Sequence, residues 1–280
     1  MRDFTVITDS TADISSEIAQ ERGITVVPLS VTFGEETLAD GVLTQTEFFE
    51  RMGAAPQLPK TSQPSVGAFV EAYERALAET EEVISIHISS RLSGTIGSAL
   101  QAAERFAGKV HVFDSLNLSW GLALQVLDAA RSAAEDISAA AALQRLERTR
   151  ERAKMIVGVD SLENLKRGGR IGRVSSFLGA MLDLKVTFTV DGNGEFVPVR
   201  RDRGEKAALE HTLAWVADRM GDAKRGAFAV GYAMREERAQ KLREALEAAY
   251  EVTEMFVYPA GSVISTHTGT GWSIALLPEA

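Results

Sequence analysis

Cysteine is absent from all 280 residues, which removes disulfide frameworks, thiolate metal sites and cysteine nucleophiles and fits a reducing compartment. No stretch approaches the roughly 20 consecutive apolar residues of a bilayer span, so stable membrane insertion is not expected. The opening Met1-Arg2-Asp3-Phe4 enters a strand pattern without an apolar signal region, and a cytoplasmic location is the expectation. Positive charge is in deficit. Lys+Arg 30 against Asp+Glu 39 leaves a net charge of −9, whereas a nucleic-acid backbone calls for a positive field, so no nucleic acid partner is expected. Phosphate-binding signatures are missing as well. Gly168-Gly169-Arg170-Ile171-Gly172 lacks the Gly-Lys-Ser/Thr ending of a P-loop, and no Gly-x-Gly-x-x-Gly follows the first strand. Gly-x-Ser-x-Gly, the nucleophile elbow of a serine hydrolase, does not occur. Asp9, Asp13 and Asp40 are scattered without metal-ligand spacing and read as solvated or turn-capping acids, so no metal is expected.

What is present begins with three hydroxyl-rich clusters, Thr8-Asp9-Ser10-Thr11, Ser89 to Thr95, and Asp114-Ser115. Each closes a β-branched apolar run and is followed by a helical pattern. That is the βαβ signature of a parallel sheet, in which ligands sit beyond the strand C-termini. The donors are neutral and include no lysine, a set suited to a carboxylate rather than a polyphosphate. Chains beyond roughly 250 residues usually divide. The expected class is therefore α/β in two domains, an N-terminal parallel-sheet domain over 1–154 and a C-terminal α+β domain over 155–280, with the ligand at their junction.

Within the first part the pattern predicts strands over 4–8, 25–33, 83–88 and 110–113, a loop from Ala54 to Ser65 broken by Pro56, Pro59 and Pro64, and a helix from Val66. An alanine-rich helix from about Asp136 to Lys154 leads into the second part. There the pattern predicts an apolar helix from Val174 to Leu182, a hairpin turn at Asp191-Gly192-Asn193-Gly194, and strands over 263–266 and 272–277.

Several residues could carry chemistry. Ser93-Gly94-Thr95 stands where a strand turns into a helix, and reads either as an ordinary N-cap or as an anion site on free N–H groups. Lys60-Thr61-Ser62-Gln63-Pro64-Ser65 is a capping loop or a second set of binding hydroxyls. Of four histidines, His87, His111 and His211 lie in strand or helix patterns that suit structural roles. His267 lies among hydroxyls and glycines in Ser265-Thr266-His267-Thr268-Gly269-Thr270-Gly271, late in an expected strand. Lys166, Arg167, Arg170 and Arg173 form a basic cluster around Gly168-Gly169. It either offsets a helix dipole or, with Arg170 and Arg167, docks a partner.

The ordered set Thr8-Asp9-Ser10-Thr11-Ala12-Asp13, Lys60 to Ser65, Ser89-Ser90-x-Leu92-Ser93-Gly94-Thr95, Leu162-x-x-Leu165-Lys166-Arg167-Gly168-Gly169-Arg170-Ile171 and Thr266-His267-Thr268-Gly269 resembles the bacterial DegV family over nearly the whole chain. The resemblance implies a long-chain fatty acid with its tail in an apolar tunnel. Its carboxylate would meet Thr61, Ser62, Ser93, Gly94 and His267, with Thr266 and Thr268 in support. It also implies a non-catalytic role without a cofactor, as the lipid-carrying subunit that presents the carboxylate to a separate ATP-binding kinase subunit. The chain departs from the family at Lys185-Val186-Thr187, at Ser265, and through bulky Trp120 and Trp272, which bear on tunnel shape. Burying about fifteen methylenes contributes on the order of 12 kcal/mol before ordering costs, so the tail can dominate affinity while hydroxyls fix the head. The competing readings are a binder of another small organic acid and an esterase using Ser93 with His267.

Overall fold

The computed structural model describes residues 2–177 and 184–279. Among them the chain builds a parallel four-stranded sheet in the order Ile24–Val27, Arg2–Asp9, Thr80–His87, Val110–Asp114. The two-residue period of a strand divides its side chains between two cores. Val6, Ile84 and Ile86 face the helix Ser119–Ala134, while Ile7 and Val83 face Phe69 and Tyr73 of the helix Val66–Leu77.

A six-stranded sheet follows in the order Phe196–Arg203, Leu184–Val190, Lys154–Val159, Gly271–Glu279, Arg225–Ala233, Glu251–Pro259. Its pairs are antiparallel except the last, which is parallel. One face packs Ile156, Phe228, Val230 and Ile274 with Trp215 and Leu242 of the helices Glu205–Met220 and Glu236–Ala249. The other face presents Ala227, Ala229 and Ala275, small residues that let the helix Ser119–Ala134 approach. That helix is therefore enclosed by both sheets, and 13 of its 16 residues are buried. A helix apolar on nearly every side, such as Trp120-Gly121-Leu122-Ala123-Leu124, has no other place to go.

A small antiparallel sheet, Glu36–Ala39, Ser30–Phe33, Lys60–Ser62, stands beside the first. It corrects two expectations. The predicted strand over 25–33 is two strands in different sheets, separated at Pro28, which has no N–H for a ladder. The predicted loop from Ala54 to Ser65 contains the strand Lys60–Ser62. A third correction concerns residues 263–266, which lie within the helix Ser262–Thr268 rather than a strand. Val263, Ile264 and Thr266 give it a β-branched composition, but tertiary packing overrides that propensity, and all three are buried. The alanine-rich helix spans Ala139–Arg152. The Asp191 to Gly194 turn joins its two strands as expected, with the Asp191 carboxylate accepting the N–H groups of Asn193 at 2.9 Å and Glu195 at 3.1 Å. Of the predicted helix from Val174 to Leu182, the start falls in a 3₁₀ turn, Gly172–Phe177, and the rest lies outside the described residues.

Candidate functional site

A narrow cleft opens where the C-terminal ends of the parallel strands meet the helix Ser262–Thr268. Its polar wall is formed by Thr61, Ser93, His267 and Arg170, and its apolar wall includes Leu118 and Ile264. A second small cavity shares Leu118, Ile264 and Thr268 with the first and extends to Gly158, Gly231 and Trp272.

His267 Nε2 lies 2.8 Å from Thr61 Oγ1, across 206 residues of sequence. The strand Lys60–Ser62 fixes Thr61 by pairing it with Val31. The other ring nitrogen, Nδ1, is buried with no hydrogen-bond partner among the described residues. A Cβ at Gly168 would stand 2.3 Å from this Nδ1, so the ring fits only against bare backbone. Burial, reinforced by the Arg170 guanidinium, takes the imidazole down to about 4, so the ring is neutral near pH 7. Nδ1 is unpaired in either tautomer; with the ring hydrogen on Nε2, that N–H donates to Thr61 Oγ1. That tautomer occupies a Thr61 lone pair and leaves the Thr61 O–H free to donate into the cleft. A neutral histidine thereby orients a hydroxyl toward an acceptor.

Ser93 Oγ pairs with Thr95 Oγ1 at 2.9 Å and accepts the Thr95 N–H at 3.3 Å, before the helix Thr95–Ala103. Gln63 crosses to this turn, its Nε2 donating to Ser98 Oγ at 2.8 Å, and a Cβ at Gly94 would stand 2.1 Å from Gln63 Oε1. The segment that follows Thr61 and the turn that holds Ser93 are thus clasped. Arg170 spans the mouth, with Nη1 donating to the Gly168 carbonyl at 2.7 Å and Nε to the Leu92 carbonyl at 3.4 Å.

The other predicted residues stand apart from this wall. Ser62 and Gly94 are exposed and do not line the cleft. Thr266 is buried, and its hydroxyl donates to the Ser262 carbonyl at 2.8 Å. Thr268 does line the cleft, but its hydroxyl donates to the Ile264 carbonyl at 3.0 Å, so both threonines serve their helix. Arg167 pairs with Glu163 at 2.7 Å on the surface, off the cleft. Sequence reasoning missed Thr11, Leu165 and Phe196, which line it. Thr11 and Leu165 lie within the motifs named above but carry no role there, and nothing local marks Phe196.

Hydrolase geometry is not formed by Ser93 and His267, whose hydrogen bonds run to Thr95 and Thr61. A Ser-His-Asp array does occur elsewhere. His87 Nε2 is 2.6 Å from Ser85 Oγ and its Nδ1 is 3.0 Å from Asp9 Oδ2, with Tyr73 on Ser85 at 2.9 Å. Ser85, His87 and Asp9 are each 0% exposed, so no substrate reaches them and the array knits the core. Among the described residues no cluster of three or more His, Cys, Asp or Glu could hold a metal ion, and no helix is long and apolar enough to cross a membrane.

The chain is thus a two-domain α/β protein with a neutral hydroxyl-imidazole cluster beside an apolar cleft, and comparison with known proteins places it more closely. A family model described as an uncharacterised protein of the DegV family matches residues 3–279, and the chain belongs to that family. A DegV domain-containing protein of Deinococcus radiodurans is 38% identical over 271 residues, covering 95% of each chain. The solved DegV family protein of Thermus thermophilus, described for its fatty acid binding, superposes with a TM-score of 0.94 at 37% identity over 100% of both chains. DegV of Bacillus subtilis, described as a fatty acid binding protein, gives a TM-score of 0.87 at 32% identity, again over 100% of both.

Proposed function

We propose that the protein binds a long-chain fatty acid at the junction of residues 1–154 and 155–280 and presents its carboxylate to a separate ATP-binding kinase subunit in the cytoplasm. The carboxylate would accept the Thr61 and Ser93 hydroxyls. The tail would run past Leu118 and Ile264 into the cavity that ends at Trp272. The observation that carries this reading is the Thr61–His267 pair at 2.8 Å on the rim of an apolar cleft, a donor held ready by a ring that stays neutral. The fatty acid binding described for the Thermus and Bacillus relatives supports it. Arg170, at the mouth, is placed to meet charge developing on an acyl phosphate, and Arg167 on the adjoining surface to meet the partner. The chain itself supplies no catalytic residue in this scheme and needs no cofactor.

Mass spectrometry of lipid extracted from the purified protein is the direct test. A C14 to C18 fatty acid is expected; a different small organic acid, or no lipid together with no thermal stabilisation by added fatty acids, overturns the reading. Thr61→Ala and Ser93→Ala should each weaken binding by about 1–3 kcal/mol, since each leaves a charged head group short of a donor. Arg170→Ala should retain the lipid while losing phosphorylation by the cognate kinase subunit.

A further inference from the structure

The helix that holds His267 begins at Ser262 with no capping side chain from its own segment. Its leading N–H groups are taken by carboxylates from the other half of the chain. Asp13 Oδ1 accepts the Gly261 N–H at 2.9 Å, and its Oδ2 accepts the Ser119 hydroxyl. Asp40 Oδ1 accepts the Val263 N–H at 3.2 Å, and its Oδ2 accepts the Ser10 hydroxyl at 2.8 Å. Gln45 grips the same turn, donating to the carbonyls of Tyr232 at 3.0 Å and Ala260 at 3.3 Å while accepting the Met234 N–H at 2.8 Å. A Cβ on Gly261 would stand 2.9 Å from Asp13 Oδ1 and 3.5 Å from both Asp40 oxygens, so the two carboxylates converge on one residue.

Keeping these acids there is costly. Burial pushes the Asp13 carboxyl up to about 7 against the Ser119 and Gly261 hydrogen bonds, with Asp40 and Asp9 adding repulsion, and burial raises Asp40 too. Glu17 and Tyr258 line the same groove. Asp13 also adopts φ 55, the left-handed region that a side chain disfavours. Ordinary packing would be served by apolar residues. What the carboxylates add is a fixed position for a short rigid helix, along which His267 stands about 7 Å from the anchored turn, at roughly 1.5 Å of rise per residue.

We infer that Asp13 and Asp40 are positioning residues for the head-group site: by clamping the turn Gly261 to Val263 against the first half, they set His267 on Thr61. The effect on ligand rests on the fatty-acid reading; the effect on His267 does not. Both are measured on the full chain, with oleic acid as the probe. Ring resonances of the four histidines are recorded by NMR, with His267 assigned through His267→Gln. Asp13→Ala and Asp40→Ala should move the His267 ring signals, leave those of His87 in place, and raise the oleic acid Kd by about tenfold or more. Asp13→Asn and Asp40→Asn keep an acceptor oxygen in place and should restore both readouts. Unmoved His267 signals in the alanine variants, or asparagine variants that shift as far as the alanine ones, overturn the proposal. If the alanine variants do not fold, Ser119→Ala and Ser10→Ala, which loosen the carboxylates without removing them, should give smaller shifts of the same signals, and no shift overturns it. Should the parent protein bind no oleic acid, the fatty-acid reading falls while the NMR comparison still decides the clamp.

Discussion

His267 and Asp13 change stability with pH in opposite directions. The imidazole ordinarily takes a proton near 6.5 but withholds it in the fold until about 4. Stability present above 6.5 is therefore lost as pH falls through this window, by on the order of 3 kcal/mol. The Asp13 carboxyl is raised from 3.8 to about 7, so its contribution runs the other way, present in acid and lost as pH rises toward 7. Chemical denaturation at about pH 4.5 and about pH 7 separates them: His267→Gln should cost more at the higher pH, and Asp13→Asn should cost more at the lower one. Costs that do not change with pH would mean that both groups are effectively solvated.

At the level of elements, the glycines beside the cleft differ in what they protect. A Cβ at Gly168 meets the His267 ring at 2.3 Å and the Asn164 carbonyl at 3.0 Å, neither of which yields easily. A Cβ at Gly94 meets only the end of the exposed Gln63 side chain. Gly168→Ala should therefore weaken fatty acid binding by about tenfold or more, and Gly94→Ala by much less, as read by titration with oleic acid. The parallel sheet and the hairpin were legible in the sequence because a two-residue period and turn residues are local signals. Thr61, Ser93 and His267 were legible as hydroxyl-rich or glycine-flanked motifs. The helix Ser262–Thr268 was not, because its first turn is completed by Asp13 and Asp40 from 248 and 223 residues away. Phe196 was equally hidden, and Leu165 stood in a motif without a role, because both are apolar residues whose place at the cleft exists only after the halves meet.

For the whole molecule the decisive feature is the helix Ser119–Ala134 between the sheets. Trp120 stacks on Phe256 at 5.0 Å and Tyr258 at 5.5 Å, joining an aromatic of the first half to two of the second. Trp120→Ala should destabilise the protein by about 3–5 kcal/mol. The parent should unfold in one transition, with tryptophan fluorescence and circular dichroism coinciding. Two resolved transitions would show that the halves are stable apart.

The same enclosed helix governs how fast a guest could come and go. Two lobes joined only by a linker can swing apart and release their contents in one motion, but here 13 buried residues of one helix would be stripped of their neighbours in doing so. Under the proposed function, exchange would instead use small openings at the rim beside Thr61 and the Ser93 turn. Residence time would then be set by local fluctuation there and not by hinge bending, and a docking protein that pries at that rim would act as a release factor without unfolding anything.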